Sequence, residues 1–186
     1  MKFLKKNWSN LLFGAFIVLL IIPQTRMPIQ IFIQRIISFS PSEIDEEDRE
    51  QLSNYDWNLR NLQAENINFS NSEGNVIIIN FWATWCPPCV AEMPELQELY
   101  NNYGDRVDFY FISNEKPETI NYFFDKKGYD LPAFNQIEHA PIQLESTSLP
   151  TTYLISKSGK IVMRKTGAAS WNSDKVHRVL DNLLKD

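Results

Sequence analysis

Cysteine and histidine are nearly missing from this chain of 186 residues, which has two of each. A structural zinc centre needs four ligands. Beyond Cys86 and Cys89 the sequence offers only His139 and His177, which read as structural or surface residues, so no metal site is expected. Methionine is sparse too, at four residues, and no Met- or His-rich cluster stands near the cysteines. That weakens, without removing, a copper-handling reading in which both thiolates act as soft ligands. No internal repeat is visible.

Acidic residues are absent from residues 1–39, where the charged side chains are Lys2, Lys5, Lys6, Arg26 and Arg35. The remainder then holds 13 basic and 23 acidic residues, a net charge of −10, which argues against a nucleic-acid partner. Charge of either sign is missing from the 19 residues 7–25. As a helix they would rise about 28 Å, close to the thickness of a bilayer core. Three lysines on the short N-terminal side place that side in the cytoplasm. No small-residue cleavage site follows the apolar centre at 11–22; Pro23-Gln24-Thr25-Arg26 does. The expectation is an uncleaved anchor over residues 1–26, with no cysteine nearby to carry a lipid.

Residues 27–56 read as a linker of two helices. Ile29, Ile31, Phe32, Ile33, Ile36, Ile37 and Phe39 are apolar, while Gln30, Gln34 and Ser38 recur every four residues, a stripe suited to a helix in the outer membrane interface. Ser40 then looks like an N-cap, with Pro41 at the first helical position, Glu43 as capping-box partner, and Phe39 and Ile44 as a hydrophobic staple. The helix expected over 41–52 is strongly acidic, a solvated spacer.

Both cysteines fall in Trp85-Cys86-Pro87-Pro88-Cys89. The apolar run at 76–82 predicts a strand ahead of them, and Cys89, Met93, Leu96 and Tyr100 predict a helical face over 88–102. A strand, a tight turn with two thiols and a helix start form a reversible dithiol site. Unpaired N–H groups and the helix dipole favour a thiolate on Cys86, expected as the exposed nucleophile, with Cys89 as resolving thiol. A static staple is the weaker reading, because so short a loop gains little chain entropy. Pro88 removes one N–H donor to the Cys86 sulfur. Trp85 borders the docking surface, and Trp82 belongs to the core. Elsewhere the pattern predicts short strands at 57–62 and 67–69, a strand at 107–112, helices at 117–126 and 173–184, and a hairpin of 151–155 with 160–165.

The run from Asn80 through Cys89 with Glu92-Met93-Pro94, and a second block Leu149-Pro150-Thr151-Thr152-Tyr153-Leu154-Ile155 followed by Ser158-Gly159-Lys160-Ile161-Val162, resemble the thioredoxin superfamily. Within it they resemble the membrane-anchored, outward-facing TlpA/ResA-like thiol–disulfide oxidoreductases, over residues 57–186. The resemblance implies an α/β thioredoxin-like fold: a central mixed sheet flanked by helices, with an N-terminal β-hairpin extension and an N-terminal transmembrane helix. It implies a helix kink at Pro94, and a cis Leu149–Pro150 bond against the disulfide, with backbone open to a substrate strand. Trp85, Pro87, Pro88, Leu149 and Pro150 would position the substrate.

Thioredoxin proper keeps a buried aspartate where this chain has Asn80, and the ResA-like branch carries a glutamate at the position of Glu92. One turn after Cys89, Glu92 can take the Cys89 proton; a surface glutamate favoured by the helix dipole is the alternative. The implied activity is reduction of disulfides in extracytoplasmic proteins, with no cofactor beyond the redox-active disulfide of Cys86 and Cys89. The implied partners are protein thiol or disulfide substrates, an electron-donor dithiol protein and the membrane. The implied location is single-pass in a bacterial inner membrane, facing the periplasm. Apocytochrome c thiols (cytochrome c biogenesis), a copper-site protein and misoxidised proteins all remain open as substrates. A copper-handling thioredoxin-like binding protein is the alternative.

Overall fold

The computed structural model describes residues 8–21 and 23–185. Lys2, Lys5 and Lys6, on which the expected orientation rests, lie outside the described residues. Two helices come first, α1 (Trp8–Ile21) and α2 (Pro23–Ile37). Of the anchor expected over residues 1–26, residues 1–7 and 22 lie outside the described residues, and the rest falls on α1 and the start of α2. Fourteen residues of α1 rise about 21 Å, and among the described residues no helix is long and apolar enough to cross a membrane.

Seven strands form one sheet: β1 (Asn58–Asn61), β2 (Asn66–Asn68), β3 (Ile77–Phe81), β4 (Asp108–Ile112), β5 (Ala133–Gln136), β6 (Thr151–Ile155) and β7 (Ile161–Thr166). Their order is β2-β1-β5-β4-β3-β6-β7. All five residues of β3 are buried, as a continuous apolar run demands of a strand covered on both faces. It pairs parallel with β4 and antiparallel with β6. The hairpin β1–β2 joins through β5. Sequence patterning did not show β5. Its four residues end in Asn135 and Gln136, too short an alternation to register, and pairing of Ala133 and Phe134 with Phe111 and Ile112 fixes it instead.

Three helices cover one face: α3 (Pro87–Tyr103), α4 (Pro117–Lys127) and α5 (Asp174–Lys185). Cys89, Met93, Leu96, Ile120, Phe124, Val176 and Leu180 share a core there with Ile78, Phe111 and Leu154 of the sheet. Ile77 and Ile79 point the other way, into a second core with Trp57, Phe69, Tyr110 and Leu52, the alternation a strand imposes. Pro117 opens α4, and Gly128 at φ 71° closes it, its N–H reaching the Phe124 carbonyl at 2.8 Å. Pro94 lies within α3 and has no N–H for the Val90 carbonyl. Beside it Arg35 Nε of α2 donates to the next carbonyl, that of Ala91, at 3.3 Å. One side of α2 thus packs on α3.

The acidic helix expected over 41–52 does not form; only a short 3₁₀ turn at Glu46–Asp48 is helical. The segment is an extended strap along the sheet edge. The Ile44 N–H donates to the Val162 carbonyl at 2.8 Å, the Ile161 N–H to Glu50 at 2.9 Å, and the Leu52 N–H to Gly159 at 3.0 Å. Glu43 pairs with Arg49 at 2.7 Å instead of closing a capping box, and Phe39 is exposed rather than stapled. An open β7 edge offers unpaired backbone groups, and satisfying them outweighs the local helix signal. Leu52 plugs the strap into the second core. Leu52→Ala is therefore expected to lower stability by about 2–4 kcal/mol, measured as a lower urea midpoint.

Candidate active site

The loop after β3 delivers Cys86 to the N-cap of α3, with Pro87 and Pro88 at the helix start. Proline is tolerated there because those N–H groups have no intrahelical acceptor. The first amide left to meet the cap is that of Cys89, and it donates to Cys86 Sγ at 3.3 Å. The two sulfurs form a disulfide. Cys86, expected to be exposed, is 4% exposed, against 0% for Cys89. The disulfide draws its side chain onto the first helical turn, and both cysteines join the core against which Leu149 packs. Trp85 is the open group at this tip, at 67% exposure, while Trp82 is buried as expected.

Leu149–Pro150 is cis. The Pro150 carbonyl accepts from the Gly167 N–H at 2.9 Å, so that group is already engaged within the fold. Between Leu149 and the cysteine loop lies a cleft of about 210 Å³, lined by Trp82, Trp85, Glu115 and Leu149 among others.

Glu115 is a site residue that sequence reasoning missed. Its carboxylate accepts from Thr84 N at 2.6 Å and from Thr84 Oγ1 at 2.7 Å, pinning the loop two residues before Cys86. Asn135 of β5 holds the Glu115 backbone in turn, Nδ2 donating to its carbonyl at 2.9 Å. No local pattern marks Glu115, because its partner is 31 residues away.

Glu92 is not a surface group. It is 3% exposed. Oε1 accepts from Asn80 Nδ2 of β3 at 2.8 Å, and Oε2 from the Ala169 N–H at 3.2 Å. Asn80 Nδ2 also donates to Thr152 Oγ1 of β6 at 2.7 Å. Burial pushes the Glu92 carboxyl from its ordinary 4.5 up to about 8, although these hydrogen bonds pull the other way. With the disulfide formed, Glu92 therefore carries a proton at neutral pH. Asn80 Oδ1 has no partner among the described residues, so half a turn of that amide would present an acceptor to the Glu92 hydroxyl. The group can release a proton inside the fold and take it back. Among the described residues, no group of three or more His, Cys, Asp or Glu side chains could hold a metal ion.

A mixed sheet flanked by helices, with a dithiol capping the helix after its central strand, defines a thioredoxin-like protein. The chain belongs to the AhpC/TSA family, whose model matches residues 53–164. It is 36% identical over 116 residues to the thiol-disulfide oxidoreductase ResA of Halalkalibacterium halodurans, covering 59% of this chain and 64% of that protein. It is 33% identical over 110 residues to the thioredoxin-like protein YneN of Bacillus subtilis, covering 57% and 65%. The chain thus spans just under two thirds of the length of these relatives. A secreted thiol-disulfide isomerase from Corynebacterium glutamicum shares the fold at TM-score 0.61 and 24% identity, covering 78% of this chain and 92% of that one.

Because Glu92 keeps its proton to about pH 8 in the fold but ionises near 4.5 when unfolded, the folded chain holds the extra proton between those values. The stability this group lends is full below pH 4.5 and lost as pH rises to about 8. Glu92→Gln removes the titration. Relative to that variant, the oxidised wild type is expected to lose up to about 1.4 kcal/mol per pH unit across the window, read from urea unfolding at several pH values. Parallel pH profiles would contradict the buried neutral carboxyl.

Proposed function

We propose that this protein is a membrane-tethered thiol–disulfide oxidoreductase that reduces disulfides of extracytoplasmic proteins. The carrying observation is the Cys86–Cys89 disulfide at the N-cap of α3, on the same helix as a buried, protonated Glu92. The names of the curated relatives support the same reading.

The Cys86 thiolate attacks a substrate disulfide, forming a mixed disulfide and expelling one substrate thiolate, which takes up a proton. Cys89 loses its proton to the Glu92 carboxylate and attacks Cys86 Sγ. The second substrate thiolate leaves, and the internal disulfide forms. Two electrons have passed to the substrate, and Glu92 is left neutral. Return to the dithiol needs another dithiol protein. Its thiolate attacks Cys86 Sγ, and Cys89 leaves as a thiolate to which Glu92 hands the proton back; the donor's second thiolate then attacks the donor sulfur of the mixed disulfide, closing the donor's own disulfide and releasing Cys86 as a thiolate. No other cofactor enters. Poor stabilisation of the thiolates, with two prolines at the helix start and one amide on Cys86 Sγ, favours the reducing direction.

Support for the tether comes from the lysines at 2, 5 and 6, the uncharged stretch 7–25 and the exposed apolar side chains of α1, among them Trp8, Leu11, Leu12 and Phe13. Beyond Ser9 and Asn10 the helix carries only apolar residues, and such a helix belongs in a membrane or a core. On this reading residues 40–186 face the periplasm or its equivalent.

Cys89→Ala is expected to accumulate reducible covalent adducts in cells, whose masses name the substrates, and Cys86→Ala to trap at most about a tenth as many. Equal trapping would overturn the two roles. No adducts, with tight Cu(I) binding by wild type, would favour the copper-handling alternative. Protease added to spheroplasts should digest residues 40–186 while cytosolic markers survive. A mature N-terminus after Thr25 would sink the anchor.

A further inference from the structure

The cleft beside the cysteine loop holds a charge that the redox step does not use. Of the described residues that line it, Glu115 is the only charged one; the others include Trp82, Trp85, Gln136, Ser146 and Leu149. At about 210 Å³ the cleft falls below the usual range of small-molecule pockets, about 300–1,000 Å³. It is of a size to take one side chain of a docked protein.

Glu115 is half-buried. Among the described residues its carboxylate is met by donors from Thr84 alone, at 2.6 and 2.7 Å. A carboxylate has about four acceptor sites, so about two stay open. No lysine, arginine or histidine of the described residues pairs with it. Lys116 follows it in the chain but does not line the cleft. A carboxylate partly withdrawn from water attracts a cation more strongly than one in bulk solvent. The two Thr84 bonds also fix its direction in advance, so a partner has little left to order.

The rest of the cleft narrows the kind of cation. Its walls include Trp85, which is 67% exposed, and the half-buried Leu149. An arginine lays its methylene stem on apolar walls and keeps its head group on a polar one. Its planar guanidinium stacks on an indole face and offers several N–H donors to a carboxylate. Net charge points the same way. Residues 40–186 carry −10, which steers basic chains toward the protein and acidic ones away.

Reach fixes where such a group stands on the partner. Glu115 meets the backbone of Thr84, two residues before Cys86, and two residues span at most about 7 Å. The arginine therefore lies within about three positions of the cysteine that Cys86 attacks.

We propose that Glu115 is a specificity-determining residue of this site. It takes the guanidinium of an arginine close to the substrate disulfide, and so selects disulfides set in basic segments of protein. This deepens the oxidoreductase reading above and rests on it. Because the same carboxylate holds Thr84, the bound arginine lies against the loop that carries Cys86.

The test follows single-turnover oxidation of the reduced full chain by stopped-flow tryptophan fluorescence. Each pair of disulfide peptides places arginine or its neutral isostere citrulline at one position, one to three residues from a cysteine. At the best position wild type is expected to react about fivefold faster with the arginine peptide at low salt. That ratio should fall toward one in about 0.5 M salt. Glu115→Gln keeps an acceptor for Thr84 but no charge, and should bring the ratio to about one at low salt. Thr84→Val removes one hydrogen bond to Glu115 but leaves its charge, and should keep the ratio. A ratio of about one in wild type at every position overturns the proposal. So does a ratio that survives Glu115→Gln, which places the cation elsewhere. So does a ratio that falls alike in both variants, which reduces Glu115 to a clamp on the loop. If wild type is oxidised by no peptide, the oxidoreductase reading fails and this substrate class with it; reaction without preference defeats the role of Glu115 alone.

Discussion

A buried carboxyl ties the helix that carries the cysteines to the rest of the molecule. Glu92 binds Asn80 on β3 through one oxygen and the Ala169 amide beyond β7 through the other, and Asn80 reaches on to Thr152 in β6. Three stretches of chain far apart in sequence meet at one side chain of α3. An ionised carboxylate here would forfeit its hydration for two hydrogen bonds. Desolvation outweighs them, and the proton stays. The position that anchors the helix is for the same reason a proton store three residues past Cys89. Structure and chemistry draw on one group, so altering it changes both.

The opposite end of the cysteine loop is held by a different device. Thr84 is fixed by two short hydrogen bonds to Glu115, whose backbone Asn135 grips from β5. Glu115 meets a half-buried loop rather than an apolar interior. The dithiol thus sits between a buried neutral acid below and a loop-pinning carboxylate beside it. A thiolate on Cys89 has a proton donor at hand on its own helix, and the loop that carries Cys86 is clamped from outside.

Much of this was legible in the residues because it is written in short-range patterns. The β3–turn–α3 unit, the proline within α3, Gly128 at the end of α4 and the β6–β7 hairpin each follow from neighbours within a turn or a strand pair. What was not legible depends on distant partners. Ser40, Pro41 and Glu43 spell a helix start, yet the backbone from Ile44 to Leu52 pairs with the β7 edge some 110 residues away. Glu115 looks like any loop acid until Thr84 is beside it. Position 92 could be picked out by its spacing from Cys89, but its burial could not, because a glutamate near a helix start is ordinarily a solvated group. Exposure of Cys86 was misjudged for a related reason: the sequence shows a thiol before a helix, and the disulfide draws it into the core.

The strap and the second helix lie on opposite sides of the sheet, and their charges differ. Leu52 and Ile44 seat the acidic strap against the core that holds Trp57 and Tyr153, whereas α2 lies outside the helix layer that encloses the other core. Glu43, Asp45, Glu46, Glu47, Asp48 and Glu50 are thereby fixed at the β7 edge, where Glu43 meets Arg49, Glu46 meets Lys160 and Glu50 meets Arg164. Exposed pairs of this kind add little to stability one by one, so backbone pairing with β7 and burial of Leu52, rather than charge, hold the strap in place.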